Sequence, residues 1–142
     1  MNLNSPDFTH NSPLPAKFTC LGSGVNPGLT VEGLPSKTKS LAIIMDDPDA
    51  ARGTFVHWVV YNIPPVNKIE ENSAPGIEGI NTMGRTAYVP PCPPSGTHRY
   101  FFKVYALDSD LNFNAPPSKE GLEAAMQGHV LSKAELIGLF KK

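Results

Sequence analysis

Three stretches of the chain carry apolar residues at successive positions, without helical spacing. Lys39 to Asp46 runs through Leu41, Ala42, Ile43, Ile44 and Met45 with no polar interruption, the pattern of a short central strand covered on both faces. Phe55 to Ile63 is the clearest strand: Phe55, His57, Val59, Tyr61 and Ile63 alternate with Val56, Trp58 and Val60, so a period of two leaves both faces largely apolar. Arg99 to Leu107 repeats the pattern. Shorter segments at Lys17 to Cys20, Leu29 to Gly33 and Ile77 to Ile80 are bounded by Gly or Pro and are weaker strand candidates.

Helical spacing enters only near the end. After Pro116-Pro117-Ser118, a stop followed by an N-cap residue, Leu122, Ala125 and Met126 fall on one helical face. Ser132-Lys133-Ala134-Glu135 has the form of a capping box, and Leu136, Leu139 and Phe140 would make the apolar stripe of a second helix. Strands first and helices last, without βαβ alternation, predict a mostly β chain of two packed, antiparallel sheets with short C-terminal helices.

Composition narrows the class. A length of 142 residues suits one domain, 1–142, with its own core. Fifteen prolines among them are about twice the average usage and fit a chain of short strands and many turns. A formal net charge of -1 gives nucleic acid no bulk attraction. No apolar run approaches the ~20 residues that span a bilayer, and Met1 to Asp7 lack the basic and apolar regions of a secretory signal. The expected compartment is therefore cytoplasmic. Cys20 and Cys92 are compatible with two free thiols or one bridge.

Polar groups at the ends of buried strands need a reason, because an unpaired buried charge is costly. Asp46-Asp47-Pro48-Asp49 follows the first apolar strand directly, and Pro48 ends the ladder there. His57 is an imidazole inside an apolar strand. Pro90-Pro91-Cys92-Pro93-Pro94-Ser95-Gly96-Thr97-His98-Arg99-Tyr100 is a stiff loop delivering three polar side chains to the start of another strand, with His98 and Tyr100 on one face and Arg99 on the other.

Together these motifs resemble the phosphatidylethanolamine-binding protein family, more closely its bacterial and archaeal, Raf kinase inhibitor-like branch. The resemblance rests on Asp47-Pro48-Asp49-Ala50, His57-Trp58 and Pro93-Pro94 with Gly96-Thr97-His98-Arg99-Tyr100, in the family's order and approximate spacing. Asn26-Pro27, Gly79-Ile80-Asn81 and Tyr105-Ala106-Leu107-Asp108 support it. It implies a large antiparallel sheet packed on a smaller one, with a pocket for phosphate, carboxylate or phospholipid head-group analogues. Asp47, His57, Pro94, His98 and Tyr100 would line that pocket, with Phe55 and Cys92 at its rim and Asp49 and Arg99 supporting its loops. The chain departs from the family pattern at Ala51, where a second proline is usual, and its segment Ala51 to Thr54 is short. A non-proline cis peptide within Gly53-Thr54-Phe55 is a further implication.

The resulting expectation is a non-enzymatic binding module without catalytic residues, metal or cofactor. Its partners would be a small anion or phospholipid head group and, by resemblance, a kinase or protease; a homodimer stays open. Asp47, His57 and His98 also supply the residue types of a two-histidine, one-carboxylate metal site, and His57 with Asp47 those of a hydrolase's base and orienter. No Gly-x-Ser-x-Gly elbow accompanies them; Ser23, in Leu21-Gly22-Ser23-Gly24, lies in a loop. Cys92 is read as an inert thiol for want of an adjacent base, and His10 and His129 as surface residues. Two imidazoles facing one anion predict tighter binding as pH falls from about 8 to about 6.

Overall fold

Every residue of strand β4 (Ser40–Asp47) is buried, which requires cover on both of its faces. In the computed structural model, which describes residues 1–142, one cover is a second sheet and the other is a helix. Leu41, Ile43 and Met45 point into the core between the sheets, whereas Ala42 and Ile44 belong to a second cluster with Leu122 and Met126 of helix α1 (Lys119–Met126). The elements in chain order are β1 (Asn2–Asn4), β2 (Ser12–Pro13), a 3-10 turn (Ala16–Phe18), β3 (Leu29–Glu32), β4, β5 (Phe55–Ile63), β6 (Lys68–Ile69), β7 (Ile77–Glu78), β8 (His98–Leu107), α1 and β9 (Val130–Phe140). The large sheet has the order β2-β9-β8-β4-β5-β7 and the small one β1-β3-β6. All pairings are antiparallel except the short β2–β9 pair.

Three expectations are corrected. The capping-box segment at Ser132 is no helix but part of β9, which pairs with β8 from His98↔Phe140 to Leu107↔Val130. Without β9 the ten-residue β8 would be a bare edge, and closing its ladder outweighs a local cap. Gly138 fits this reading, because a Cβ there would overlap the Leu14 side chain packed over β9. Lys17 to Cys20 is not a strand: Pro15 opens a 3-10 turn that buries Phe18. The expected cis peptide is absent, since all peptide bonds are trans. The short connection instead closes through Gly53 N–H donating to the Ala50 carbonyl (3.2 Å), with Gly53 at φ 101°, a backbone region open to glycine.

The first helix forms as its pattern predicts. Ser118 caps it by accepting from Gly121 N–H at 3.2 Å, a cap worth about 1 kcal/mol, and Leu122 and Met126 are its buried face. Cys20 and Cys92 form a disulfide across a sequence separation of 72. Closing a loop of that length stabilises the fold by about 4 kcal/mol on the chain-entropy account.

Candidate functional site

Strict alternation along β5 fails at His57, and that failure builds the site. Met45 pairs with Trp58 and Asp46 with Val56, leaving His57 as the extra residue of a β-bulge. A bulge re-aims the side chain it carries. His57 therefore lies on the same side of the sheet as Trp58, beside Phe55 at 4.6 Å and Tyr100 at 5.3 Å between ring centroids. A second irregularity, between Leu41 and Ile43, shifts the register by a further residue at the other end of β5, where Asn62 has φ 52°.

The C-terminal end of β4 and the start of β8 lie side by side, and two carboxylate contacts stitch the turn after β4 to β8. Asp47 Oδ2 accepts from His98 Nδ1 at 2.6 Å, and Oδ1 accepts from the Asp49 N–H at 2.8 Å. Asp49 receives Arg99 through its backbone N–H (2.9 Å), Nε (3.0 Å) and Nη2 (2.9 Å). The Arg99 guanidinium holds the Asp49 carboxyl down to about 2, so this clamp is ionised across the physiological range.

The facing wall is the proline loop. Asn81, 4% exposed, organises the turn before it: its Oδ1 accepts from Met83 and Arg85 N–H at 2.9 and 3.1 Å, and its Nδ2 donates to the Ala87 carbonyl at 2.8 Å. Tyr88 then donates its hydroxyl to the Phe18 carbonyl at 2.8 Å. Val89 exchanges two bonds with His57, donating its N–H to the His57 carbonyl (3.0 Å) and accepting from His57 Nδ1 (2.7 Å). From Pro90 onward the wall has no regular structure, and the disulfide to Cys20 ties it to the 3-10 turn.

Between these walls lies a cavity of about 240 Å³ lined by Asp47, Phe55, His57, Pro94, His98 and Tyr100 among others. The expected residues are thus brought together, although fifty-three positions separate Asp47 from Tyr100. Asp49 and Arg99 lie outside the lining and hold its loops. Cys92 does line the cavity, but as half of a disulfide and not as a thiol. Ala50, Ala51, Val89, Pro90 and Pro93 complete the surface. Val89 was the least visible in the sequence; its position just before two prolines, which favours an extended backbone, is the signal for a carbonyl left free to hold an imidazole.

The protonation of the site follows from these bonds. His57 Nδ1 must carry a proton to donate to the Val89 carbonyl, so the neutral ring offers an unprotonated Nε2. Burial pushes the His57 pKa below its ordinary 6.5, against the opposing pull of the Val89 carbonyl bond, Asp47 and Asp46, and the pH-dependent charging expected of both imidazoles does not extend to His57 in its usual range. His98 likewise spends Nδ1 on Asp47. Burial, with Asp47 and Asp49 nearby, raises the Tyr100 pKa well above that of a free phenol, so its hydroxyl stays a donor. That hydroxyl has no protein partner, and no buried polar side-chain atom is left unsatisfied, so it opens onto the cavity. No group of three or more His, Cys, Asp and Glu residues has the spacing to hold a metal ion.

Comparison with known proteins agrees with this architecture. The sequence model of the family described as phosphatidylethanolamine-binding protein matches residues 4–141. A UPF0098 protein of Methanothermobacter thermautotrophicus is 43% identical over 100% of this chain and 99% of its own, and one of Pyrococcus horikoshii is 48% identical over 95% of this chain and 74% of its own. Among solved structures, a Chlamydia trachomatis homologue of phosphatidylethanolamine-binding protein superposes with a TM-score of 0.96 at 40% identity, covering 99% of this chain and 97% of that one. Escherichia coli YbcL, described as a member of the mammalian family, gives 0.90 at 26% identity over 99% and 98%.

Proposed function

We propose that this chain, which belongs to the phosphatidylethanolamine-binding protein family, is a non-enzymatic binding module whose pocket takes a small phosphate- or carboxylate-bearing group. The observation that carries the reading is the convergence of His57, His98 and Tyr100 on one cavity of about 240 Å³. That volume lies below the range of roughly 300–1,000 Å³ usual for drug-sized ligands and suits a head group better than an acyl chain. Tyr100 donates a hydrogen bond, and each imidazole offers Nε2, which accepts from a ligand P–OH when neutral and donates when charged. The singly protonated phosphate, or the phosphate that brings a proton with it, is therefore the preferred species. A kinase- or protease-type partner, as the family resemblance suggests, would dock by placing such a group in the same mouth.

The lining also favours binding over turnover. It contains no serine, threonine, lysine or free cysteine, and the one phenol is held protonated. A hydrolase would have to activate water through an imidazole, either His98 held by Asp47 or His57 held by the Val89 carbonyl. Calorimetric titration of O-phosphorylethanolamine into protein purified without phosphate, alongside a phosphate-release assay, separates the two readings. Saturable one-to-one binding without release is expected. Release at a rate abolished by His98→Ala or by His57→Ala would replace the binding module with a hydrolase.

A further inference from the structure

The segment from Pro90 to Thr97 makes one wall of the pocket yet belongs to no helix or strand. Pro90, Pro91, Pro93 and Pro94 have no N–H to donate. Across this stretch the one backbone tie to the remaining protein is the Cys20 N–H donating to the Pro91 carbonyl at 3.0 Å. The other tie is covalent, the Cys20–Cys92 disulfide. Both cysteines are exposed residues, and Cys92 itself lines the cavity while Cys20 lies outside it.

We infer that this disulfide is a thiol–disulfide exchange site through which a dithiol reductant sets the pocket's affinity, an inference that rests on the binding reading above. A thiolate of the reductant attacks one of the two sulfurs, forming a mixed disulfide and expelling the other cysteine as a thiolate. The reductant's second thiol then closes its own disulfide and expels the first cysteine. Two electrons pass from the dithiol to the cystine, and the two cysteine sulfurs take up the protons the dithiol gives up. Once cut, the wall keeps one backbone hydrogen bond and the packing of the buried Pro91 and Pro93 but loses its covalent tie, so a ligand must order it further on binding, which lowers affinity. Linkage requires the converse: a ligand that prefers the latched wall shifts the exchange equilibrium toward the disulfide by the same factor. In a reducing compartment the pocket is loosened, and in an oxidising one it is latched.

The test compares oxidised protein, protein reduced with dithiothreitol, and Cys20→Ser, each titrated with O-phosphorylethanolamine. Reduction and Cys20→Ser are each expected to weaken binding about tenfold, and saturating probe to shift the dithiothreitol midpoint by the same factor. Amide hydrogen exchange at Cys92 and at Ser95 to Thr97, without ligand, is expected to quicken on reduction while β4 and β8 stay protected. Equal affinity in all three forms overturns the coupling, as does global unfolding on reduction, seen as loss of protection in β4 and β8. Oxidised protein that binds no probe sinks the binding reading itself, and unchanged exchange in the loop then sinks the latch separately.

Discussion

Acidification should destabilise the fold through His57 before the carboxylates contribute. The ring is 5% exposed and its Nδ1 is committed to the Val89 carbonyl at 2.7 Å. Burial sets its folded pKa below the ordinary 6.5; the bond to the Val89 carbonyl, then Asp47 and Asp46, pull it upward and His98 downward, and burial prevails. Between the folded value and 6.5 the unfolded chain binds one more proton than the folded one. Stability is therefore fully kept above pH 6.5 and falls as pH drops through that window, with a slope approaching about 1.4 kcal/mol per pH unit for one proton. His57→Gln removes the titrating group. It also removes the ring contacts with Phe55 and Tyr100, each worth about 0.5–1.5 kcal/mol, so the variant should be less stable at pH 7.5 but flatter below 6.5. Urea unfolding of both proteins from pH 7.5 to pH 5 measures the difference, in which the titrations of the other histidines cancel. Parallel profiles below pH 6.5 would refute the assignment of a depressed pKa to His57.

Two further outcomes follow from the loops that shape the pocket. The Asp49 carboxyl should titrate near 2 by NMR and move toward the ordinary value of about 3.9 in Arg99→Ala. Its contribution to stability is present above about pH 4 and lost as pH falls toward 2, and an unmoved titration would mean that Arg99 does not set it. Asn81→Ala removes three loop hydrogen bonds from a buried site and should cost about 2–4 kcal/mol in urea unfolding; a loss under about 0.5 kcal/mol would mean that Asn81 does not organise the turn.

Much of the fold could be read from the sequence because β4, β5 and β8 are apolar on consecutive residues, a pattern only two-sided cover explains. The C-terminal strand could not. Leu136, Leu139 and Phe140 fit a helical stripe as well as Leu136 and Phe140 fit alternation, and Ser132 with Glu135 tipped the local balance toward a helix. What decided β9 is the long-range need of β8 for a partner, and Gly138 in the middle of the supposed helix was the one local warning. The residues that line the cavity could be picked out from their motifs, but not how they are aimed. A period of two put His57 opposite Trp58, whereas the bulge puts both on one side. The disulfide was undecided at two cysteines because pairing depends on the approach of the 3-10 turn to the proline loop, a contact spanning 72 positions.

The central claim is that one small anion is held by His57, His98 and Tyr100 together. The chain's four histidines make a direct measurement available: imidazole nitrogen NMR during titration with O-phosphorylethanolamine. His57 and His98 should shift together and saturably, with one dissociation constant that weakens about 10- to 150-fold in Tyr100→Phe, the equivalent of the about 1.5–3 kcal/mol of a hydrogen bond to a charged group. His10 and His129, which lie outside the cavity, should not move. Shifts of all four histidines in parallel, or none at His57 and His98, would contradict the account.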